Sequence, residues 1–205
     1  MNFLQNVFHI IYNVPELIRI VGQFGLPLII FAETGLLVGF FLPGDSLLIT
    51  AGLFAARGDL NLPLLIVTLI PAAILGNATG YQIGKRTGKA LYSRPDSLLF
   101  RREHLQMTHD YYEKHGGITI ILAQFIPILR TFAPVVAGVG EMGYTRFAAY
   151  NVVGAIAWVA SMTLGGYALG NIVPNIEQRI HYVVAVVIAI SLLPPAIAWF
   201  RRRRA

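Results

Sequence analysis

No cysteine occurs anywhere in the chain. Disulfides, thiolate nucleophiles and cysteine-held metals are therefore excluded at once. Charge is scarce as well: 13% of the residues are Asp, Glu, Lys or Arg, against roughly 25% in an ordinary soluble domain. There is no His-Glu-x-x-His, and none of the five histidines sits in the serine-glycine-histidine context of a membrane lipid phosphatase. The chain is accordingly expected not to be an enzyme, and to hold no metal and no cofactor. No basic stripe with interleaved aromatics points to nucleic acid. A signal peptide is not expected either, because the first basic residue is Arg19 and no small-residue cleavage site follows an apolar run.

What the chain has in abundance is apolar surface. Apolar residues make up 56% of its 205 positions, more than a soluble core of this size can cover but suited to lipid. A crossing helix needs about 20 apolar residues. Four segments qualify: Phe24–Leu42, Leu62–Gly84, Phe147–Gly170 and Tyr182–Phe200. Two others are apolar but irregular. Ser46–Ala56 is short and follows Pro43-Gly44-Asp45, and Ile118–Gly140 is interrupted by Pro127, Arg130 and Pro134. Near the start, Phe3, Val7, Ile10, Val14, Leu17 and Val21 recur at helical spacing. That pattern predicts an amphipathic helix over residues 1–22, lying in the membrane interface and bent near Pro15.

The net charge of +6 has a location. Seven of the sixteen basic residues lie between Lys85 and Lys114, and four more form the tail Arg201-Arg202-Arg203-Arg204. Basic residues flanking apolar spans mark the cytoplasmic side. Loop and tail share that side only if 118–140 dips in and returns instead of crossing. The same reading of 41–56, from the opposite face, places the N-terminus in the cytoplasm too. An internal match supports the pattern: an offset of 86 residues aligns Ala51-Gly52 with Ala137-Gly138, and Gly80-Tyr81 and Gly84 with Gly166-Tyr167 and Gly170.

The expected fold is therefore an all-α polytopic integral membrane protein, built from two inverted repeats. Each repeat carries a re-entrant helical hairpin, with about four full transmembrane helices in all plus the N-terminal amphipathic helix. Along the chain this gives the amphipathic helix (1–22), a first repeat (23–84), a cytoplasmic basic loop (85–117), a second repeat (118–172), and a final transmembrane helix with basic tail (173–205). Pro43 and Gly44 mark the first hairpin break, and Pro127 and Pro134 the second. Irregular backbone at membrane depth must be buried in protein or line a wet cavity, and transporters with inverted repeats bind substrate where such breaks meet.

Charges within apolar segments are the candidate site. Glu33 sits near the centre of its expected span, where a carboxylate is costly unless neutralised, paired or hydrated. Proton exchange and a packing pair with Arg130 are both open to it. Asp45 precedes a helix expected to start at Ser46, so it serves either as an N-cap worth about 1 kcal/mol or as a functional carboxylate. Arg130 presents a planar fork suited to phosphate or carboxylate. An ion pair with Glu33 or Asp45 and substrate binding can coexist there, the substrate competing for the guanidinium. Elsewhere, His104, His109 and His115 are expected to face solvent, Asn77 and Asn151 to hydrogen-bond between helices, and Glu141 to sit at the cytoplasmic boundary.

Glu33, Phe41-Leu42-Pro43-Gly44-Asp45, Phe125-Ile126-Pro127 with Arg130-Thr131, Ala137-Gly138, and Tyr150-Asn151-Val152-Val153-Gly154-Ala155 followed by Trp158 together resemble the DedA family. Its members, which carry the VTT or SNARE-associated domain, are lipid flippase- or scramblase-like membrane proteins. The resemblance covers roughly residues 20–172. It implies transbilayer flipping of a phosphate-bearing lipid, undecaprenyl phosphate or a phospholipid, coupled to protons. It also implies a home in the bacterial cytoplasmic membrane. The family's acidic pair matches Glu33 and Asp45, and its second arginine matches Arg130. Its first arginine falls at Gln124, which donates a hydrogen bond but carries no charge.

The reading that follows has Arg130 holding the headgroup, with Gln124 and Thr131 also at the substrate, and Glu33 and Asp45 exchanging protons. A transporter of a small soluble anion, or a proton antiporter, is the alternative. The expected partners are membrane lipids and protons, with self-association left open.

Overall fold

Apolar runs broken only by isolated glycines and prolines form helices wherever the structure, a computed structural model, describes the chain. It describes residues 14–36, 44–92 and 117–172. Six helices occur there and no strand: α1 (Val14–Gly35), α2 (Gly44–Ala56), α3 (Leu62–Tyr92), α4 (117–123), α5 (Pro127–Val139) and α6 (Tyr144–Ile172). Outside the described residues lie the expected last crossing and arginine tail, most of the basic loop with its three histidines, Pro43, and the first part of the amphipathic helix.

Polarity is arranged for lipid. Phe24 and Leu28 are 76% and 71% exposed, whereas Glu33, Asp45, Asn77, Gln124, Arg130 and Asn151 are buried. Outward apolar side chains around inward polar ones suit a hydrocarbon surround. Three helices, α1, α3 and α6, are long and apolar enough to cross a membrane.

Of these, α1 is not one straight rod. Gly22 has φ 60° and ψ −169°, a left-handed conformation that glycine adopts without steric penalty. The break within the described helix thus falls at Gly22, while the chain before Val14, on which a bend at Pro15 depends, lies outside the described residues. Before the break Val14, Leu17 and Ile18 are buried while Glu16, Arg19 and Ile20 are exposed, which is the amphipathic face the sequence predicts. Beyond it, the stretch from Gln23 to Gly35 rises only about 20 Å, short of a hydrocarbon core of roughly 30 Å.

The far end of α2 returns to where that stretch began. Gln23 Nε2 donates to the Asn61 carbonyl at 2.9 Å, and the Asn61 N–H donates to Gln23 Oε1 at 3.1 Å. These two bonds hold the start of the 23–35 stretch beside the turn that follows α2.

The described residues form two compact units, each packed around its own helix pair. The first takes in 14–30, 44–70 and 159–172, the second 31–36, 71–92 and 117–158. In the first unit α2 lies so close to α6 that a methyl on Gly52 would strike the Thr163 carbonyl, and one on Gly166 the Ile49 backbone. In the second, a methyl on Gly138 would strike the Tyr81 carbonyl, and one on Gly84 the Val135 backbone. Gly138 and Val135 lie 86 residues after Gly52 and Ile49, the offset seen in the sequence. The long helices match differently, since Gly166 and Thr163 lie 82 residues after Gly84 and Tyr81. The pairing is thus one helical turn away from the expected match of Gly84 with Gly170. Glycines recur every fourth position along α3, from Gly76 to Gly88, and Gly166 and Gly170 of α6 are also four apart, so a one-turn slide still presents small residues to the partner.

The second unit also has a conventional core of Tyr81, Ile120, Ala133, Ala137, Met142 and Phe147. Tyr81 stacks on Phe147 at 4.5 Å and donates its hydroxyl to the Met142 carbonyl. Asn77 Nδ2 donates to Asn151 Oδ1 at 2.8 Å, and Asn151 Nδ2 to the Ile74 carbonyl at 3.0 Å. The two asparagines therefore tie α3 to α6, as expected.

Gly52→Val and Gly138→Val should each lower stability by about 1–3 kcal/mol through overpacking. Gly165→Ala, with nothing within 4 Å of an added methyl, should leave it unchanged or slightly raised. Thermal unfolding of the detergent-purified variants measures both, and equal melting of all three would refute the close-approach account.

Candidate functional site

The second unit brings three of the expected site residues together. α4 ends at residue 123, Gln124 to Ile126 form a turn, and Pro127 opens α5. Proline suits the first helical position, where its fixed φ is pre-organised. The break expected at Pro127 is therefore present. Pro134 is not a break: it lies within α5, which continues to Val139. Four residues after Arg130, it only denies that carbonyl its helical partner, a loss one helix can absorb. In the first unit Gly44 is the first described residue of α2, and Pro43 lies outside the described residues.

Arg130 points into the protein, with 2% of its side chain exposed, and meets Glu33, whose side chain is 3% exposed. Its Nη2 donates to Glu33 Oε1 at 2.7 Å and its Nη1 to the Gln124 carbonyl at 3.1 Å. The guanidinium carbon lies 4.1 Å from the centre of the Trp158 ring. One face of the cation is thus covered by an aromatic plane that attracts it, and its edge is held by one charged and one neutral acceptor. Thr131, next along the helix, is buried too.

Both partners of this pair sit at helix ends that oppose their charge. Glu33 lies in the last turn of α1, not at the middle of a straight crossing, and Arg130 in the first turn of α5. A helix carries partial negative charge at its C-terminus and partial positive charge at its N-terminus, worth about 0.3–1 kcal/mol to a nearby ion. Neither ion is stabilised by its own helix, so each depends on the other. The start of α5 is built for an anion: an uncapped helix N-terminus with no side-chain cap at Ile126, reinforced by an arginine. The Glu33 carboxylate meets the guanidinium of that arginine.

Gln124 is buried at 1% exposure. Its backbone holds Arg130, while its side-chain Oε1 finds no hydrogen-bond partner. A buried acceptor left this way costs about 1–3 kcal/mol. Asp45 belongs to the first unit, 7% exposed within the first turn of α2. The described helix runs from Gly44, and Asp45 lies in its first turn. Its charge still has the sign that a helix N-terminus favours. Sequence reasoning missed Trp158 as a site residue. A tryptophan near the middle of a long apolar helix, away from the interfacial belts where the residue concentrates, was the available signal. No group of three or more His, Cys, Asp or Glu placed to hold a metal occurs among the described residues.

Buried charges within helices that turn apolar faces outward define a polytopic helical membrane protein with an internal polar site. The VTT domain family matches residues 42–168, more than half the chain. The chain is 48% identical to the protein DedA of Escherichia coli K12 over 204 residues, covering 97% of this chain and 93% of that one. An uncharacterized membrane protein of Mycobacterium tuberculosis is 43% identical, over 88% of this chain and 80% of its own. The inner membrane protein YqjA of Escherichia coli is 35% identical, over 72% and 67%. No solved structure gives a significant match. The chain belongs to the DedA family of membrane proteins.

Removing one member of the buried pair strands the other. Glu33→Ala should cost roughly 3–5 kcal/mol, and Glu33→Leu combined with Arg130→Leu should recover most of that loss. Circular-dichroism melting in detergent reads both. A double variant as unstable as Glu33→Ala would mean that the charges hold the fold through something other than each other.

Proposed function

We propose that the protein moves a phosphate-bearing lipid, undecaprenyl phosphate or a phospholipid, across the bacterial cytoplasmic membrane, with protons as the coupled ion and no covalent bond made or broken. The observation that carries this reading is the Arg130–Glu33 pair, a cation held at an anion-favouring helix start by a carboxylate that its own helix disfavours. A phosphate replaces that carboxylate with charge of the same sign, and protonation of the released Glu33 removes the cost of leaving it unpaired in a low-dielectric site. Arg130 then holds the headgroup by its fork. Gln124 and Thr131 lie against the headgroup, and Asp45 is the second proton site. The lipid tail stays in the membrane while the headgroup crosses.

The two helix pairs, α1 with α2 and α4 with α5, act as re-entrant hairpins of inverted repeats. The matching glycine contacts of the two units support this, as does the return of the chain from Gln23 to Asn61. The basic loop and the tail face the cytoplasm. Helix 14–22 goes with the 57–61 turn to the outer face, because both adjoin the start of α3, whose other end enters the basic loop. That differs from the cytoplasmic N-terminus expected from Arg19, and at that end Arg19 and Arg57 stand with the acidic Glu16 and Asp59. Cysteines are easily placed in a chain that has none. Phe100→Cys and Arg203→Cys should resist an impermeant thiol reagent on intact cells, and Glu16→Cys and Asp59→Cys should react. Any other pattern overturns the topology.

Transport is tested with purified protein in vesicles holding labelled undecaprenyl phosphate or labelled phospholipid. Arg130→Lys should be severely impaired, since lysine keeps the charge but loses the planar fork. Gln124→Ala should be milder, and Gln124→Arg should tighten binding of a phosphate monoester. Asp45→Ala should abolish transport, whereas full activity in Asp45→Ser would confine that residue to helix capping. Parent-like transport by Arg130→Lys would refute the phosphate-fork mechanism. Movement of soluble phosphate with no lipid movement would favour a small-anion transporter.

A further inference from the structure

Arginine chemistry also appears far from Arg130, within the first unit. Around the Gly22 break, residues of α1 and of the 57–61 turn enclose a cavity of about 250 Å³. Its charged lining is Arg19, Arg57 and Asp59, and its apolar walls are Ile18, Phe54 and Leu60. The Arg57 guanidinium carbon lies 5.4 Å from the centre of the Phe54 ring, and its Nε is 3.3 Å from Asp59 Oδ2. Phe54 is buried and Asp59 is 46% exposed in its side chain, so Arg57 is anchored on its apolar side and faces a wet carboxylate on the other.

The balance of this lining is two fixed cations against one carboxylate. Arginines cannot lose their charge at any relevant pH, so the cavity favours an anion. Its volume falls below the roughly 300–1,000 Å³ of pockets that enclose a whole drug-sized molecule. A headgroup fits, and an entire lipid does not. The cavity lies at the break in α1, where the amphipathic segment gives way to the apolar one. Just past the break, Phe24 and Leu28 stand one turn apart and strongly exposed, offering an apolar track along which acyl chains can run. Positive positive-φ geometry at Gly22 creates the angle between headgroup cavity and track.

We propose that this cavity is a second, peripheral site for the phosphate of an anionic phospholipid, seated by Arg19 and Arg57. It rests on the membrane placement given above but not on transport, so it stands or falls independently of the flipping mechanism. A free phosphate ion shares the headgroup's chemistry and supplies the second arm of the test.

The probe is a single cysteine, Leu64→Cys, which lies near the cavity without lining it, labelled with an environment-sensitive dye. Labelled protein in nanodiscs of phosphatidylcholine receives increasing phosphatidylglycerol with brominated chains, which quench the dye on contact. Quenching should saturate at lower mole fraction with brominated phosphatidylglycerol than with brominated phosphatidylcholine. Arg19→Gln together with Arg57→Gln should raise the half-saturating fraction about tenfold, the loss expected for one charge-assisted contact or more. Arg19→Gln alone, at an exposed position that leaves the fold intact, should raise it by a smaller factor. Inorganic phosphate that relieves quenching in the parent but not in the double variant assigns the cavity to phosphate from either source; no relief confines it to the lipid. Equal quenching by the two lipids, or an Arg19→Gln variant that titrates like the parent, overturns the proposal.

Discussion

The cost of taking a charge out of water governs the second unit of this protein. Arg130 and Glu33 are both almost wholly covered, and an isolated ion in such surroundings would cost several kcal/mol after all relaxation. Their contact at 2.7 Å, the Gln124 carbonyl and the face of Trp158 are what make the burial tolerable. Each of those partners comes from a different stretch of chain. The turn at 124–126 presents a carbonyl, α6 brings an aromatic plane, and the last turn of α1 supplies the carboxylate. If one stretch moved by a few ångströms, the arginine would lose part of its compensation.

Close helix approach supplies the necessary rigidity. Gly84 and Gly138 bring α3 and α5 nearly into backbone contact, which fixes the height of Arg130 along α3. Gly76 does the same for the end of α1, since a methyl there would run into Thr34, the neighbour of Glu33. The Asn77–Asn151 bond holds α6 and so its tryptophan. These contacts fix positions without adding charge, and in a hydrocarbon surround tight packing is the main attraction left between helices. The pair can therefore be held against the preferences of its own helix ends.

Much of this was legible in the residues themselves. The apolar runs of α3 and α6 predict their own length, a buried arginine calls for a carboxylate, and two asparagines in apolar spans call for each other. What was not legible has a common cause. Hydropathy records how apolar a segment is but not where it breaks, so the break within α1 leaves no mark on the apolar pattern. The bend depends on the φ of one residue, Gly22, among 20 glycines that look alike in sequence. Pro134 misled in the opposite sense, because proline within a helix need not end it. The match of Gly84 with Gly170 failed by one turn because helices with a small residue every fourth position have several nearly equal registers. Trp158 escaped notice because its role comes from stacking on a cation 28 positions earlier in the chain.

The pairing of short with long helices crosses the chain's halves: α2, from the first half, packs on α6, from the second. During synthesis the ribosome makes Gly52 long before Gly166. At about 5–20 residues per second, α2 waits on the order of ten seconds for the surface that will cover it. Through that interval the buried Asp45 and the close-packing face of Gly52 have no permanent neighbour in the nascent chain. The first half cannot complete its fold as it emerges and must be sheltered by lipid, by the insertion machinery or by passing contacts until α6 arrives. Assembly of this protein is therefore expected to finish late and all at once, and truncation before Thr163 leaves α2 without its support.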